Sequence, residues 1–142
     1  MEIGCGGGTA AALVCGRLCT GSVTAIDRSL TAVKKTLARN ESYVTAGRLT
    51  VLQAPFTLAG VGELVGFDKI FSINVNLFWT GSAAAELLLA RSLLAPGGRL
   101  YAFYEAPGGR TPEIAARVAG TFRAGGFAPT VTTDGVLCVS GI

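Results

Sequence analysis

The fold is decided by the stretch Glu2-Ile3-Gly4-Cys5-Gly6-Gly7-Gly8 and by the alanine-rich segment Thr9–Val14 that follows it. An acid, an apolar residue and closely spaced glycines predict a short strand that ends in a tight turn, because glycine allows positive φ and the close approach of a ligand. The segment Thr9–Val14 predicts a helix directly behind the turn, whose N-terminus offers unpaired N–H groups to an anion. The stretch therefore predicts a loop for a nucleotide-type cofactor.

The spacing of the glycines separates two kinds of cofactor loop. A dinucleotide-binding loop has the pattern G-x-G-x-x-G, and this chain has Thr9 where the last glycine would stand. The acid Glu2 is also foreign to that pattern. The pattern E-x-G-x-G-x-G resembles motif I of the class I S-adenosylmethionine-dependent methyltransferases.

Three later segments strengthen this resemblance, in the order that the family has them. The run Val23–Asp27 ends in an acid that can accept hydrogen bonds from ribose hydroxyls, as in both kinds of nucleotide-binding protein. The segment Phe67–Trp79 resembles the motif IV strand, with a polar residue at its end. The sequence Leu94-Ala95-Pro96-Gly97-Gly98-Arg99-Leu100 resembles the family's helix-to-strand connection. Together the segments extend over nearly the whole chain.

Strand and helix patterns alternate along the chain. The predicted strands are Val23–Ile26, Leu49–Leu52, Lys69–Asn74 and Arg99–Tyr104, and the predicted helices are Thr9–Cys19, Leu30–Arg39, Ser82–Leu94 and Pro112–Ala124, with a weak helix at Thr57–Val65. Such alternation favours βαβ units and a parallel sheet. Near the end, Asp134-Gly135 between two β runs predicts a two-residue hairpin.

The resemblance implies an α/β fold with a Rossmann-like, doubly wound and mostly parallel sheet of order 3-2-1-4-5-7-6, in which strand 7 is antiparallel. We expect residues 1–142 to form a single S-adenosylmethionine-binding methyltransferase domain. Only three residues precede Gly4. We therefore expect a truncated first strand, a missing N-terminal cap and a chain that is marginally stable and poorly active on its own.

The resemblance also implies which residues contact S-adenosylmethionine: Glu2, Gly4, Gly6, Gly8, Asp27, Arg28, Gln53, Ala54 and Asn74. Asp27 is the clearest, as the acceptor for ribose hydroxyls. Arg28 stands where the family has an apolar residue, and no acid follows the third strand, so we expect Gln53 or a backbone group to hold adenine. Asn74 is not followed by a Pro-Pro-aromatic motif, which disfavours methylation of nucleic-acid bases.

Methyl transfer from a sulfonium is an in-line displacement that depends chiefly on positioning. The chain has no histidine, so Tyr104 and Glu105 are the only weak candidates for an acid or base, and the catalytic residue stays unknown. Two other functions remain open. One is a non-catalytic cofactor-binding remnant, and the other is a nicotinamide-dependent oxidoreductase, which the glycine spacing and the terminal hairpin disfavour.

The composition of the chain limits the kinds of binding partner that we expect. The net charge is only +3, the basic residues are dispersed, and no apolar run reaches the length of a membrane span. We expect a cytoplasmic protein with a small-molecule acceptor, without nucleic acid, membrane or metal; the oligomeric state stays open. The four cysteines, Cys5, Cys15, Cys19 and Cys138, lack metal-ligand spacing and are expected to be small buried hydrophobes. Cys15 and Cys19 could share a helix face.

Overall fold

The computed structural model describes residues 1–105 and 109–142 of the chain. The strands are β1 Glu2–Ile3, β2 Val23–Asp27, β3 Leu49–Gln53, β4 Phe67–Ile73, β5 Leu94–Tyr104, β6 Pro129–Thr132 and β7 Leu137–Gly141. The helices are α1 Thr9–Arg17, α2 Leu30–Arg39, α3 Glu41–Thr45, α4 Leu58–Val61, α5 Ala84–Leu93 and α6 Thr111–Ala124, with a 3₁₀ turn at Asn76–Phe78. Among the helices of these residues, none is both long and apolar enough to cross a membrane.

The strand order of the sheet is β3-β2-β1-β4-β5-β7-β6. β1 pairs with β2, β2 with β3, and β4 with β5, all in parallel. β7 is antiparallel to both β5 and β6. The predicted α/β sheet is therefore confirmed in its strand order and in the direction of its seventh strand. β1 contributes only two residues to it.

The chain consists of two compact units, Met1–Val61 and Gly62–Ile142. The prediction of a single domain stays a prediction. In the first unit, α1 packs on β2, and most side chains of the buried cluster beneath it are small: Cys5, Ala11, Cys15, Val23, Ala25 and Leu49. Small residues suit this place, because the helix must come close to the sheet immediately after the glycine turn.

The cysteines differ from one another in burial. Cys5 and Cys15 are buried, Cys138 is half-buried and Cys19 is exposed. The prediction of buried cysteines is thus wrong for Cys19. α1 ends at Arg17 rather than at Cys19, so Cys15 and Cys19 do not share a helix face.

In the second unit, α6 packs on β6 and β7, and aromatic rings fill the space behind it. Phe122 of α6 meets Phe78 edge-on, with ring centroids 5.5 Å apart, and lies 5.7 Å from Phe127. Phe78 is completely buried. This residue of the 3₁₀ turn therefore contributes to the core.

The terminal hairpin is wider than predicted. β6 ends at Thr132 and β7 begins at Leu137, so residues 133–136 form the connection. A two-residue type I′ turn needs positive φ at both central residues. Gly135 has φ of 74°, but Asp134 is not among the non-glycine residues with positive φ. The prediction of a two-residue turn is therefore wrong.

The segment around Pro96 also differs from its prediction as a helix-to-strand connection. β5 begins at Leu94, directly after α5. Its pairing with β4 steps from Phe67–Leu94 to Lys69–Arg99, so the intervening residues bulge out of the ladder. A side chain at Gly98 would come within 2.8 Å of the Phe67 carbonyl oxygen. Glycine at this position allows the bulge to lie close to β4.

Candidate functional site

The glycine loop leaves β1 with alternating residues in the left-handed region. Gly4, Gly6 and Gly8 have φ of 73°, 53° and 76°. The N–H groups of Gly4 and Cys5 both donate to the Ile26 carbonyl oxygen of β2, at 2.8 and 3.0 Å. The three glycines therefore supply a backbone conformation that other residues adopt only at a cost.

Two of these glycines have different surroundings. A Cβ atom at Gly6 would meet no atom within 4 Å, whereas a Cβ atom at Gly8 would lie 2.6 Å from Asn40 Nδ2 and 2.9 Å from Thr36 Cα. The packing of α2 therefore requires glycine at position 8. The open side at Gly6 leaves room for a ligand. Contact of Gly4, Gly6 and Gly8 with a cofactor stays a prediction.

Thr36 of α2 and Asn40, the residue that caps the C-terminus of this helix, hold the loop from one side, and sequence analysis did not identify them. Thr36 Oγ1 donates to the Gly6 carbonyl oxygen at 3.1 Å, and Asn40 Nδ2 donates to the Gly8 carbonyl oxygen at 3.0 Å. Both side chains are buried. A signal was present, because Val33, Thr36 and Asn40 follow helical spacing and two polar residues therefore share the face of an apolar one. We call Thr36 and Asn40 the α2 clamp.

Asp27, at the end of β2, lies directly beside the loop. Its Oδ2 accepts a hydrogen bond from the Gly6 N–H at 3.0 Å, and its Oδ1 accepts one from the Ser29 N–H at 2.9 Å. An ionised carboxylate has about four acceptor positions, so each oxygen can accept a further hydrogen bond. The structure thus brings the predicted ribose acceptor and the predicted loop together and fixes the orientation of the carboxylate.

Gln53, Ala54 and Arg28, the residues predicted near adenine, lie beside Asp27. They differ in whether their polar groups are already hydrogen-bonded within the protein. Gln53 ends β3 in register with Asp27, and its side chain is exposed. The Ala54 N–H donates to the Asp27 carbonyl oxygen at 3.0 Å, so this backbone donor is already used. Arg28 is exposed. Of these groups, the side chains of Gln53 and Arg28 remain available to a ligand.

Glu2 is a buried acid and the first residue of β1. Only 2% of its surface is exposed, and within the described part of the chain its Oε2 has no hydrogen-bond partner. Burial raises the pKa of Glu2 from 4.5 to about 7; the positive amino terminus opposes this shift and the charge of Asp27 adds to it. An unpartnered carboxyl oxygen in this position suits a hydrogen-bond donor or a cation.

The raised pKa of Glu2 makes stability depend on pH. The folded protein binds this proton more tightly than the unfolded chain, so the stabilisation is full below pH 4.5 and is lost as pH rises through about 7. The unfolding free energy should fall by about 3 kcal/mol on this account, at about 1.4 kcal/mol per unit of pKa shift. Urea unfolding at about pH 4.5 and about pH 8 tests this.

Glu2→Gln should abolish that part of the pH dependence and be the more stable form at the higher pH, because it carries no charge to bury. The exposed Glu63→Gln variant is the control and should follow the parent protein. Identical pH profiles for Glu2→Gln and the parent would contradict the assignment.

Asn74 belongs to the second unit and joins the ends of two strands. It follows β4 with φ of 55°, a conformation that asparagine tolerates better than most residues. Its N–H donates to the Phe103 carbonyl oxygen at 2.9 Å, and its Oδ1 accepts from the Glu105 N–H at 2.8 Å. Asn74 therefore fixes the backbone of Glu105. Its contact with a cofactor stays a prediction.

Tyr104 and Glu105, the two candidates for acid–base chemistry, lie at the end of β5 in different environments. Tyr104 is buried, and burial raises the pKa of its phenol above the ordinary value. The phenol is therefore protonated at neutral pH and cannot act as a base there. Glu105 is exposed, which leaves it as the better candidate of the two.

The family is shown by comparison with known sequences. The sequence model described as "Methyltransferase domain" matches residues 1–100. The chain belongs to this methyltransferase domain family. Among curated proteins, no sequence matches the chain. In the described residues of this family member, no group of three His, Cys, Asp or Glu side chains is placed to hold a metal ion.

Solved structures share the fold of this methyltransferase domain. An O-methyltransferase family protein from Burkholderia thailandensis has a TM-score of 0.78 at 19% identity, over 99% of this chain and 49% of that protein. Fibrillarin from Aeropyrum pernix, solved with natively bound S-adenosyl-L-methionine, has a TM-score of 0.76 at 15% identity, over 99% and 64%. The methyltransferase SibL has a TM-score of 0.78 at 17% identity, over 99% and 48%. The chain thus spans about half the length of two of these relatives.

Proposed function

We propose that this chain binds S-adenosylmethionine and transfers its methyl group to a small-molecule acceptor. The observation that carries the proposal is the open side of the loop at Gly6 beside the fixed carboxylate of Asp27, in a member of the methyltransferase domain family. The similar fold of fibrillarin with bound S-adenosyl-L-methionine supports the choice of cofactor.

The residues of the first unit fit this cofactor. Asp27 has acceptor positions left for ribose hydroxyls, and Gly6 carries no side chain toward the open space. The unpartnered oxygen of Glu2, within the residues described, can accept from a positively charged amino group. When bound, the sulfonium supplies an activated methyl group.

The protein itself must orient the two reactants. It must also take up a proton if the methyl acceptor loses one during the reaction. Holding two reactants in alignment can lower a barrier by about 7–11 kcal/mol. Glu105 is an exposed carboxylate, and Asn74 fixes its backbone. Glu105 is therefore the group that we assign to proton acceptance.

Asp27→Ala should weaken S-adenosylmethionine binding at least tenfold. Loss of one hydrogen bond to a charged group costs about 1.5 kcal/mol or more, which corresponds to that factor. Isothermal titration of the folded variant with S-adenosylmethionine measures the effect. Asp68→Ala, which removes an exposed acid from β4, is the matched control and should bind as the parent does.

The same titration separates the proposed function from its alternatives. An unchanged dissociation constant for folded Asp27→Ala would remove this residue from the site. Binding of a nicotinamide dinucleotide in place of S-adenosylmethionine would favour an oxidoreductase. Binding of S-adenosylmethionine without methyl transfer to any of a broad panel of acceptors would favour a non-catalytic cofactor-binding protein.

A further inference from the structure

The second unit contains a cavity that the cofactor residues do not line. Its volume is about 380 Å³, which is within the range of small-molecule sites. It lies where β5 ends, where α6 begins and where β6 turns into β7. Its lining is formed by Tyr104, Glu105, Thr111, Thr133, Gly135, Val136 and Leu137.

Tyr104, one of the lining residues, has a hydroxyl group without a hydrogen-bond partner among the described residues. The side chain is only 4% exposed. A buried hydroxyl without a partner destabilises the protein. Tyr104 is part of the lining, so a small turn of its ring would bring the buried hydroxyl to a bound molecule, whose polar atom would then supply the missing partner. Phenylalanine would fill the same core volume without this cost.

The charge of the lining is negative. Among the lining residues that the structure describes, Glu105 is the one carboxylate and there is no lysine or arginine, while Thr111 and Thr133 add hydroxyl groups. The nearby cation Arg110 is directed elsewhere, because its Nε lies 3.1 Å from Glu113 Oε2 and its guanidinium lies 5.2 Å from the centre of the Trp79 ring. The lining therefore favours a ligand with a positive charge and hydrogen-bonding atoms.

We propose that this cavity binds a small amine, whose protonated nitrogen pairs with Glu105 and whose second polar group bonds to the Tyr104 hydroxyl. The binding of an amine stands on the cavity alone, and its role as the methyl acceptor rests on the proposed function. In that role the ammonium group gives one proton to Glu105, and its freed electron pair forms the bond to the methyl carbon. The carbon–sulfur electron pair stays on sulfur, so the sulfonium becomes a thioether and the product a methylated ammonium.

Three probes of nearly equal size and different charge test the selectivity. 4-Hydroxybenzylamine, 4-hydroxybenzyl alcohol and 4-hydroxybenzoate are titrated into the full chain without cofactor, and the amide NMR signals of residues 133–137 are followed. The amine should bind about fivefold more tightly than the alcohol, the factor expected for a solvent-exposed ion pair. The benzoate should bind most weakly. Equal binding of all three probes, or no shift of these signals with the amine, would overturn the proposal.

Two variants test the residues separately. Glu105→Gln should bring amine binding down to the level of the alcohol. Tyr104→Phe should weaken binding of the amine and of the alcohol about fivefold, the loss of one hydrogen bond, while raising the melting temperature by about 3 °C. The combination of weaker binding and higher stability is not expected of a purely structural tyrosine. A less stable Tyr104→Phe variant with unchanged binding would contradict the role of the hydroxyl.

Matched controls come from the same unit. Tyr101→Phe changes a half-buried tyrosine of the same strand, whose ring stacks 6.1 Å from Phe103, and Glu63→Gln changes an exposed acid. Both should bind the probes as the parent does. A separate titration with S-adenosylmethionine distinguishes the two proposals. Amine binding without S-adenosylmethionine binding contradicts the proposed function alone, and the reverse result contradicts the amine site alone.

Discussion

Gly6→Val is expected to reduce S-adenosylmethionine binding at least a hundredfold, a loss of about 2.7 kcal/mol or more, while the protein remains folded. The new side chain would extend into the open space beside the loop, where a Cβ atom meets no other atom within 4 Å. The fold therefore has room for a β-carbon at this position, whereas a ligand bound in the open space would collide with the valine side chain. Isothermal titration and circular dichroism of the same sample give both quantities.

The backbone strain of this change needs its own control, because valine at positive φ is unfavourable wherever it occurs. Gly47→Val supplies it, since Gly47 has φ of 69° and equally open surroundings but lies outside the loop. Both variants should lose similar stability, and only Gly6→Val should lose binding. Normal binding by folded Gly6→Val would show that the loop does not line the cofactor site.

Gly8→Ala is expected to destabilise the first unit by about 4 kcal/mol. Alanine in the left-handed conformation costs about 1–2 kcal/mol, and overpacking of a rigid site costs about 1–3 kcal/mol more. The added Cβ atom would lie 2.9 Å from Thr36 Cα. This neighbour is a backbone atom, so α2 would have to move as a whole. Urea unfolding measures the loss.

Gly6→Ala is the matched control for this second change. Like Gly8→Ala, this variant adds a Cβ atom to the loop at a residue with positive φ, but the added atom has no neighbour within 4 Å. Its loss of stability should stay near the roughly 1–2 kcal/mol of the backbone strain. The double variant Gly8→Ala with Asn40→Ala should not recover, because Thr36 Cα remains in place. Equal stability of Gly6→Ala and Gly8→Ala would show that α2 does not press on the loop.

The sequence predicts the sheet well because its evidence is local. Glycine spacing, alternating apolar runs and the acid at the end of β2 each act within a few residues, so they predict the elements and their alternation. The order of the strands in the sheet follows only from the resemblance to the methyltransferase family. The same local evidence does not predict where the strands end or how the chain turns between them. Whether Asp134 takes positive φ depends on the pairing between β6 and β7, and the bulge at Gly98 depends on the neighbouring carbonyl of Phe67.

The sites are predicted less completely because they are assembled from distant residues. Glu2, Asp27 and Gln53 follow from strand ends, so a motif can identify them. The α2 clamp lies about 30 residues beyond the loop that it holds, and helical spacing alone gives no partner for it. The cavity beside Tyr104 depends on the approach of residues 133–137 to the end of β5, which no single segment of sequence specifies.

The hydrogen bonds on both sides of the glycine loop affect the free energy with which a ligand can bind there. Asp27 holds the Gly6 N–H from β2, and the α2 clamp holds the carbonyl groups of Gly6 and Gly8 from the helix. The peptide groups of the loop are thus oriented before any ligand arrives. Ordering a flexible segment subtracts from the affinity of a complex. Here that entropy has already been lost during folding, so contact energy at the loop can contribute almost undiminished to binding.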